Sequence, residues 1–329
     1  MKKMLIIAAL LLFFVSFNVF LYAAVTSRVG NNYSGVSQTR MVDVGKYLPF
    51  EKDSQLARTG SSLHFSNEDE LPVLDGAAAL VPVYASVIDA VYPEGTVTYE
   101  GGAFSDDNQY GENFASDSVM QYHNTIRGFD ALLSGSVDLF FTAYPSGQQM
   151  ESAREQGVEL ETVPIGLEAF VFFVNKKNPV DDLSIDAVRG IYRGKIKNWK
   201  EVGGPDRLID PLIRIKNSGS QTMMEKFMEN DMISQRDIFA VFGASIGYSF
   251  RYYLSGMVAN ENVRMLSLNG AYPDEENIKN GSYPLVASFY AVYRKDNDNQ
   301  NVKKLVDWIL SKEGQDLIEG CGYVGRSIH

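Results

Sequence analysis

Apolar segments of two kinds alternate along the chain from residue 71 onward. Short, mostly apolar runs, such as "VDLFFTA" (137–143) and "AFVFFVN" (169–175), are typical of strands buried on both faces of a sheet. Longer segments place apolar residues at helical spacing, as in "SVMQYHNTIRGFDALLSGS" (118–136). Strands that alternate with helices predict an α/β architecture with mainly parallel sheets. A region of about 250 residues with this pattern predicts two lobes rather than one.

The first 27 residues have the pattern of a targeting segment. Lys2 and Lys3 precede an apolar run, residues 4–25, that is long enough to span a bilayer and longer than the apolar core of most cleaved signals. We therefore expect residues 1–27 to be an uncleaved membrane anchor, with a cleaved signal peptide as the alternative. In either case the remainder is expected in the periplasm or at the cell surface. Residues 28–70 predict a polar tether followed by an arm packed on the surface of the domain.

Charge and composition exclude several classes of function. The formal net charge of −11 argues against nucleic-acid binding, which requires a basic face. It leaves small anions open, because local N–H and hydroxyl groups hold them even on an acidic protein. Cys321 is the one cysteine, so neither an intramolecular disulfide nor a cysteine-based zinc site is expected. His64, His123 and His329 lack the spacing of metal ligands, and no metal or other cofactor is predicted.

One pattern in the sequence is typical of a catalytic serine. "GASIG" (243–247) matches the G-x-S-x-G turn of serine hydrolases, with Ser245 as the candidate nucleophile. Such an enzyme needs a histidine after the serine, and His329 is the only one that follows. A strand with small residues is the favoured interpretation. Adjacent carboxylates such as Asp106 and Asp107 lie in polar stretches, where solvated loop charges are expected.

A short run of hydroxyl and amide residues precedes an amphipathic helix in "IKNSGSQTMMEKF" (215–227). Ser and Asn oxygens cap helices by accepting from the N–H groups of the first turn. The same helix start, with its free N–H groups and positive dipole end, also suits an anion. Both interpretations stand on these residues alone. Small residues follow other predicted strands too, and in open α/β sheets such strand ends converge on a ligand.

Residues 163–227 carry a more specific likeness. They contain "NKKNPV" (175–180), "GKIKNWKEVGG" (194–204) and "SGS" (218–220), in this order. The block resembles the phosphate-binding-protein family of ABC importers. This resemblance implies an α/β, two-lobed fold of the type-2 periplasmic-binding-protein kind, with two crossing hinge strands. The resemblance places lobe one at residues 71–165 plus 285–329 and lobe two at residues 166–284.

In this family, hydroxyls and backbone N–H groups at helix starts bind phosphate together with an arginine. The resemblance implies that Arg214 is the charged clamp. It implies that the Ser218 and Ser220 hydroxyls and the N–H groups of residues 219–220 are donors from lobe two. Thr125 matches the hydroxyl residue of a first-lobe loop. The predicted ligand-binding residues are Gly76, Ala77, Ala78, Thr125, Thr142, Arg214, Ser218, Gly219 and Ser220.

Three places depart from the pattern of the family. Ala77 and Ala78 stand where a hydroxyl residue is common, so the first loop supplies N–H donors alone. The glycines that flank the hydroxyl residue in the family are missing around Thr125. Thr142 keeps a hydroxyl, but Ala143 follows it where an Asp able to accept the proton of hydrogen phosphate is frequent. A pocket with donors only is expected to hold a fully deprotonated oxyanion at least as well.

These features predict an extracytoplasmic solute-binding protein of an ABC importer, not an enzyme. It is expected to bind phosphate or a similar small oxyanion in the cleft between its lobes and to close on that ligand. Its expected partners are the permease subunits and, through the N-terminal segment, the membrane; a monomer is expected, with no nucleic acid bound. The alternative is a membrane-tethered sensor or surface interaction protein that retains the fold with an altered or lost ligand. A hydrolase based on Ser245 is the third hypothesis.

Overall fold

The computed structural model describes residues 12–20, 22–23, 42–102, 112–229, 231–234, 243–258 and 261–326. Strands and helices alternate along these ranges. The strands are β1 Leu74–Gly76, β2 Tyr99–Gly102, β3 Glu112–Phe114, β4 Leu139–Ala143, β5 Leu160–Asn175, β6 Asp182–Leu183, β7 Ile209–Pro211, β8 Ala244–Phe250, β9 Val263–Met265, β10 Ser267–Leu268 and β11 Val286–Arg294. The α-helices are α1 Val81–Val91, α2 Asn124–Ser134, α3 Gly147–Glu155, α4 Ile185–Tyr192, α5 Gly219–Met228, α6 Glu275–Lys279, α7 Gln300–Leu310 and α8 Lys312–Gly320.

The main sheet runs in the order β1-β4-β11-β5-β8-β7, and β9 also pairs with β5. Strand β1 is parallel to β4, and β7 is parallel to β8. The long strands β5 and β11 are antiparallel to each other, and each is also antiparallel to its outer neighbour. The α/β class predicted from the alternating pattern is confirmed. The expectation of mainly parallel sheets is wrong for the described strands, because the two central strands reverse the direction of the sheet.

Strand β5 connects the two halves of the molecule. Its first part, from Leu160 to Ala169, pairs with β11, and its second part, from Phe170 to Val174, pairs with β8. Strand β11 makes the return crossing beside it. The nearly continuous apolar sequence of these strands follows from their position, since both faces of a central strand are covered. Two long crossing strands are what the family resemblance implied for a hinged, two-lobed protein.

Two large hydrophobic cores lie on either side of these crossing strands. The first includes Tyr84 of α1 and Leu305 of α7, both fully buried. The second includes Phe172 of β5, Tyr248 of β8 and the side chain of Trp199. Each such side chain contributes roughly 2 kcal/mol by leaving water. Each lobe therefore has a core of its own, and the exact boundaries assigned to the lobes stay a prediction.

Residues 42–70 lie against α1. Val44 and Tyr47 are buried in the first core, and the Nε atom of Arg58 lies 3.1 Å from Oδ2 of Asp89 in α1. Most of the predicted targeting segment and tether lies outside the described residues; of the first 27 residues, 12–20 and 22–23 are helical. Among the described residues, no helix has both the length and the apolar character needed to cross a membrane.

The two crossing strands change register beside Gly166. The shift lies between Phe289 and Tyr290 of β11. A Cβ atom on Gly166 would collide with the ring of the buried Phe289, so a larger residue there would force this ring to move. Pro164, which has no N–H to donate, stands opposite Tyr290 at the same irregularity. The short sequence "VPIG" therefore fixes where the pairing of the hinge strands is interrupted.

Glu168 is a buried carboxyl group on β5, close to this irregularity. Its Oε1 accepts from the Ala169 N–H at 2.8 Å, and its Oε2 accepts from the Tyr252 N–H at 3.2 Å. The Nε atom of Arg251 lies 3.4 Å from Oε1. Burial raises the pKa of Glu168 from 4.5 to about 7, and the nearby Arg251 guanidinium opposes this rise without cancelling it.

We expect the free energy of unfolding to fall as the pH rises from about 4.5 to about 7. In this range the folded protein holds a proton on Glu168 that the unfolded chain releases, so the folded state binds more protons. This contribution is complete below the unfolded pKa and is lost as the pH passes the folded pKa, by on the order of 3 kcal/mol. Urea unfolding at several pH values measures the slope. Glu168→Gln should flatten it, and an unchanged slope would assign the dependence to other groups.

Candidate functional site

The loop before α5 combines a helix cap with an open helix start. Ser218 is the N-cap: its Oγ accepts from the Gln221 N–H at 3.3 Å and donates to the Ile215 carbonyl at 2.8 Å. Gly219 and Ser220 begin the helix, so no carbonyl within the helix accepts from their N–H groups. The capping role read from the sequence is confirmed. The Ser218 hydroxyl is used within the loop, and the two N–H groups are what the helix start offers to a ligand.

Arg214 brings a cation to the same loop, four residues before the cap. Its backbone N–H donates to Gln221 Oε1 at 3.2 Å and to Tyr248 Oη at 3.0 Å, which fixes this part of the chain against α5 and β8. The Nε and Nη1 atoms of its guanidinium are buried and have no hydrogen-bond partner in the part of the chain that the structure describes. Buried donors without partners are unfavourable, so these two nitrogen atoms favour an anion beside them.

In lobe one, two of the predicted N–H donors bond within the lobe. The Gly76 N–H donates to Oδ1 of Asp75 at 2.7 Å. The Ala77 N–H donates to the Phe141 carbonyl at 2.8 Å, which ties the loop after β1 to the end of β4. Because both donors have partners in the lobe, Gly76 and Ala77 shape the loop rather than present free N–H groups. This differs from the sequence-based expectation, which counted both as donors to a ligand.

The third predicted donor of this loop is directed at the start of α2. The Ala78 N–H donates to the side-chain oxygen of Asn124 at 3.2 Å. Thr125 follows directly, and its backbone carbonyl accepts from the Gln149 side chain at 3.3 Å. The loop after β1 and the start of α2 therefore meet, as expected for helix starts at one edge of a sheet.

The two lobes approach each other where β4 ends. A Cβ atom on Gly219 would lie 3.9 Å from the Cβ atom of Ala143. Beside this contact, Nδ2 of Asn217 donates to Oε1 of Gln148 in α3 at 3.1 Å. Thr142 is buried in β4 directly before Ala143. The start of α5 from lobe two and the end of β4 from lobe one are thus in contact.

A pair of titratable groups, missed in the sequence, lies behind the first-lobe loops. Oδ2 of the fully buried Asp75 is 2.7 Å from the ring nitrogen Nδ1 of His123. Oδ1 of Asp75 accepts from the backbone N–H of His123 at 3.1 Å. Burial raises the pKa of Asp75, and the bonds to His123 act in the opposite direction. The sequence placed one titratable residue in strand β1 and another directly before α2. Their 48-residue separation hid the contact.

The candidate nucleophile Ser245 lies in a different setting. It is the second residue of strand β8, and its Oγ donates to Oδ2 of Asp210 on the neighbouring strand at 3.1 Å. A nucleophile elbow requires a sharp turn from a strand into a helix, which this position lacks. His329 lies outside the described residues. Within the described ranges, no three side chains of the His, Cys, Asp and Glu types gather as a metal site requires.

The two-lobed arrangement agrees with a comparison of the sequence with known families. A family model described as a PBP superfamily domain matches residues 109–313. The chain belongs to the PBP superfamily. Its crossing strands β5 and β11 and its facing helix starts are the parts of that fold described above. The two-lobed, type-2 periplasmic-binding-protein fold expected from the sequence is confirmed.

Curated relatives support the more specific likeness to phosphate-binding proteins. The chain is 26% identical over 190 residues to the phosphate-binding protein PstS of Borreliella burgdorferi, an alignment that covers 52% of this chain and 67% of that protein. It is 26% identical over 228 residues to PstS of Bacillus subtilis, covering 65% of this chain and 72% of that protein. The resemblance read from residues 163–227 is thereby confirmed.

Solved structures share the fold at lower identity. A protein from Clostridium perfringens assigned as a phosphate ABC transporter substrate-binding protein, with bound phosphate, matches with a TM-score of 0.55 and 23% identity over 78% of this chain and 99% of that one. An ABC-type phosphate transport receptor from Vibrio cholerae matches with a TM-score of 0.53 and 18% identity, covering 78% of this chain and 100% of that one. At these identities the similarity shows the fold.

Proposed function

We propose that this protein is the extracytoplasmic solute-binding component of an ABC importer and binds phosphate or a similar small oxyanion between its lobes. One observation carries the proposal: the half-buried Arg214, four residues before the cap of α5, has two buried guanidinium nitrogen atoms, Nε and Nη1, without a hydrogen-bond partner among the described residues. A helix start and an arginine together supply N–H donors, a dipole and a full positive charge, which suit a tetrahedral oxyanion. The curated relatives named above are phosphate-binding proteins, which supports the same ligand class.

The proposed site takes donors from both lobes. Lobe two contributes the Arg214 side chain, the N–H groups of Gly219 and Ser220 and the Ser220 hydroxyl. Lobe one contributes the loops that meet at the end of β4, although their N–H groups already bond to protein oxygens in part. The direct ligand contacts we assign are Ala78, Thr125, Thr142, Arg214, Gly219 and Ser220, while Gly76, Ala77 and Ser218 shape their loops.

Closure of the hinge would complete the site. Rotation about β5 and β11 moves the lobes toward or away from each other, and the contact between Asn217 and Gln148 lies at the rim where they meet. We assign the closed form to docking on the permease of the importer, and the N-terminal segment to a membrane anchor. The working unit is a monomer, because each lobe of one chain supplies half of the donors.

We expect isothermal titration to show one anion bound per chain, with phosphate and sulfate affinities within about tenfold of each other. The reason is chemical: Ala143 stands where an Asp is frequent in the family. The residues assigned to the site therefore supply donors, and no carboxylate among them accepts the proton of hydrogen phosphate. The full-length protein, purified in mild detergent and freed of phosphate by an enzymatic scavenger, is titrated with phosphate, sulfate, molybdate and a phosphonate.

Two outcomes would contradict the expected titration. Absence of heat and of competition for every oxyanion would reject the anion site and favour the sensor or interaction hypothesis. Phosphate binding that exceeds sulfate binding by more than about a hundredfold would keep the function and require another proton acceptor in the cleft. Titration of an Arg214 variant under the same conditions, described below, tells specific binding from weak surface association.

A further inference from the structure

One side-chain oxygen collects three donors of the first lobe. Oδ1 of Asn124 accepts from the Thr125 N–H at 2.7 Å, from the Ala78 N–H at 3.2 Å and from the Thr125 hydroxyl at 3.3 Å. The donors come from two loops that are 46 residues apart in sequence and meet at the ligand-binding edge of the sheet. Three donors around one oxygen form the environment that an oxygen atom of an oxyanion requires.

We propose that the Asn124 side chain is a built-in competitor for the anion in lobe one. Its amide oxygen occupies the position of an anion oxygen, and the bound anion takes over the Ala78 and Thr125 donors when this side chain rotates away. The inference rests on the proposed function, because it concerns the same donors. It adds a residue that sets the affinity of the site without providing attraction to the ligand.

The backbone at Asn124 explains how the side chain reaches these donors. Its φ angle is +59°, in the left-handed region that glycine and, among other residues, chiefly Asn and Asp adopt. In this conformation the short side chain turns back onto the N–H of the next residue. Glycine would keep the backbone conformation and remove the side-chain amide together with its oxygen. Asn124→Gly is therefore a substitution that frees the three donors with little backbone strain.

The competition has a definite direction. Hydrogen bonds to a charged oxygen are about twice as strong as those to a neutral amide oxygen, so an anion displaces the side chain at sufficient concentration. The displacement still requires breaking the hydrogen bonds of Asn124, and the observed affinity is reduced by the fraction of molecules in which they are intact. The site would then respond to higher anion concentrations than its donors alone allow.

A second observation in the same loops supports this self-occupied arrangement. Oδ1 of Asp75 accepts from the backbone N–H groups of Gly76 and His123. A side chain of the lobe therefore already binds two further N–H groups close to Asn124. The lobe-one N–H groups assigned to the anion, those of Ala78 and Thr125, are likewise bound by a side-chain oxygen of the protein. The oxygen of Asn124 belongs to a neutral amide group, and Asn124 directly precedes Thr125 in the chain.

Asn269 provides a matched control. It also has a positive φ, +51°, and its side-chain oxygen accepts from the first N–H of a helix, that of Ile185, at 3.2 Å. This residue belongs to lobe two and takes no part in the proposed site. Asn269→Gly therefore removes the same type of contact, and any general effect of losing a helix-capping oxygen is common to both variants.

The experiment is isothermal titration of the full-length wild type, Asn124→Gly, Asn124→Asp and Asn269→Gly with inorganic phosphate. We expect Asn124→Gly to bind about tenfold more tightly than the wild type, since a competing hydrogen-bond set of this size is worth roughly one decade. Asn269→Gly should bind like the wild type. Asn124→Asp keeps the acceptor and adds a negative charge, so its affinity should fall by about a hundredfold or more. Thermal melting confirms that each variant is folded.

The outcomes separate this inference from the proposed function. Wild-type binding with equal or weaker binding in Asn124→Gly overturns the competitor role and leaves the anion site in place. The competitor role is also overturned if Asn124→Asp binds phosphate with the same affinity as the wild type. This comparison remains possible if the glycine variant does not fold. Absence of phosphate binding in every variant, including Asn124→Gly, rejects the proposed function and the inference with it.

Discussion

Replacing Arg214 by Gln is expected to weaken phosphate binding by about a thousandfold. Two charge-assisted hydrogen bonds to an anion contribute about 2 kcal/mol each, and together they account for this factor. Gln retains a polar side chain of similar width but loses the charge and the planar fork of donors. The same substitution should stabilise the protein without anion, because the half-buried Arg214 has two buried guanidinium nitrogen atoms that are unpartnered among the described residues.

Titration of Arg214→Gln and Arg214→Lys, together with urea unfolding, measures both effects. The Lys variant keeps the charge without the fork, so its affinity should lie between the other two. Arg264→Gln is the control: Arg264 also has a buried Nε without a partner in the described ranges, but its Nη2 donates to the carbonyls of Asn178 and Val180. Its loss should lower stability and leave anion binding unchanged. Equal phosphate affinity in the Arg214→Gln variant and the wild type would remove the central support of the proposed function.

Local signals in the sequence predicted those parts of the fold that depend on neighbouring residues. The apolar run 169–175 indicated a buried strand, and the hydroxyl-rich segment before α5 indicated a cap at Ser218. Both follow from residues close in sequence, whose spacing reports which side is buried or which N–H is free. The likeness in residues 163–227 then supplied the two-lobed arrangement, which periodicity alone does not determine.

The details of the first-lobe loops were beyond such reasoning. The Ala78 N–H and the Asn124 oxygen meet across 46 residues, and their contact depends on a left-handed backbone at Asn124 that a single sequence does not reveal. The pairing of Asp75 with His123 is hidden for the same reason. The partners of the Gly76 and Ala77 N–H groups were hidden as well, because a loop N–H bonds to the closest oxygen in space. Sequence indicates where donors lie, and the structure decides which of them are already bound.

The contact between lobes leads to the second large effect, at Ala143. We expect Ala143→Asp to weaken sulfate binding by about a thousandfold and to leave phosphate binding within about tenfold of the wild type. The Cβ atom of residue 143 lies 3.9 Å from the place of a Cβ on Gly219, so a carboxylate here would extend into the wall of donors that lobe two provides. Hydrogen phosphate can donate its proton to that carboxylate, whereas sulfate has none to donate.

The size of this effect follows from electrostatics. Two negative charges about 4 Å apart repel by about 4 kcal/mol at the effective dielectric constant of a partly buried site, which corresponds to about a thousandfold in affinity. Competition titrations of phosphate and sulfate with Ala143→Asp and the isosteric, uncharged Ala143→Asn test it. The Asn variant should discriminate little, because its amide both donates and accepts. If Ala143→Asp binds sulfate as the wild type does, residue 143 does not face the anion, and the ligand sits elsewhere in the cleft.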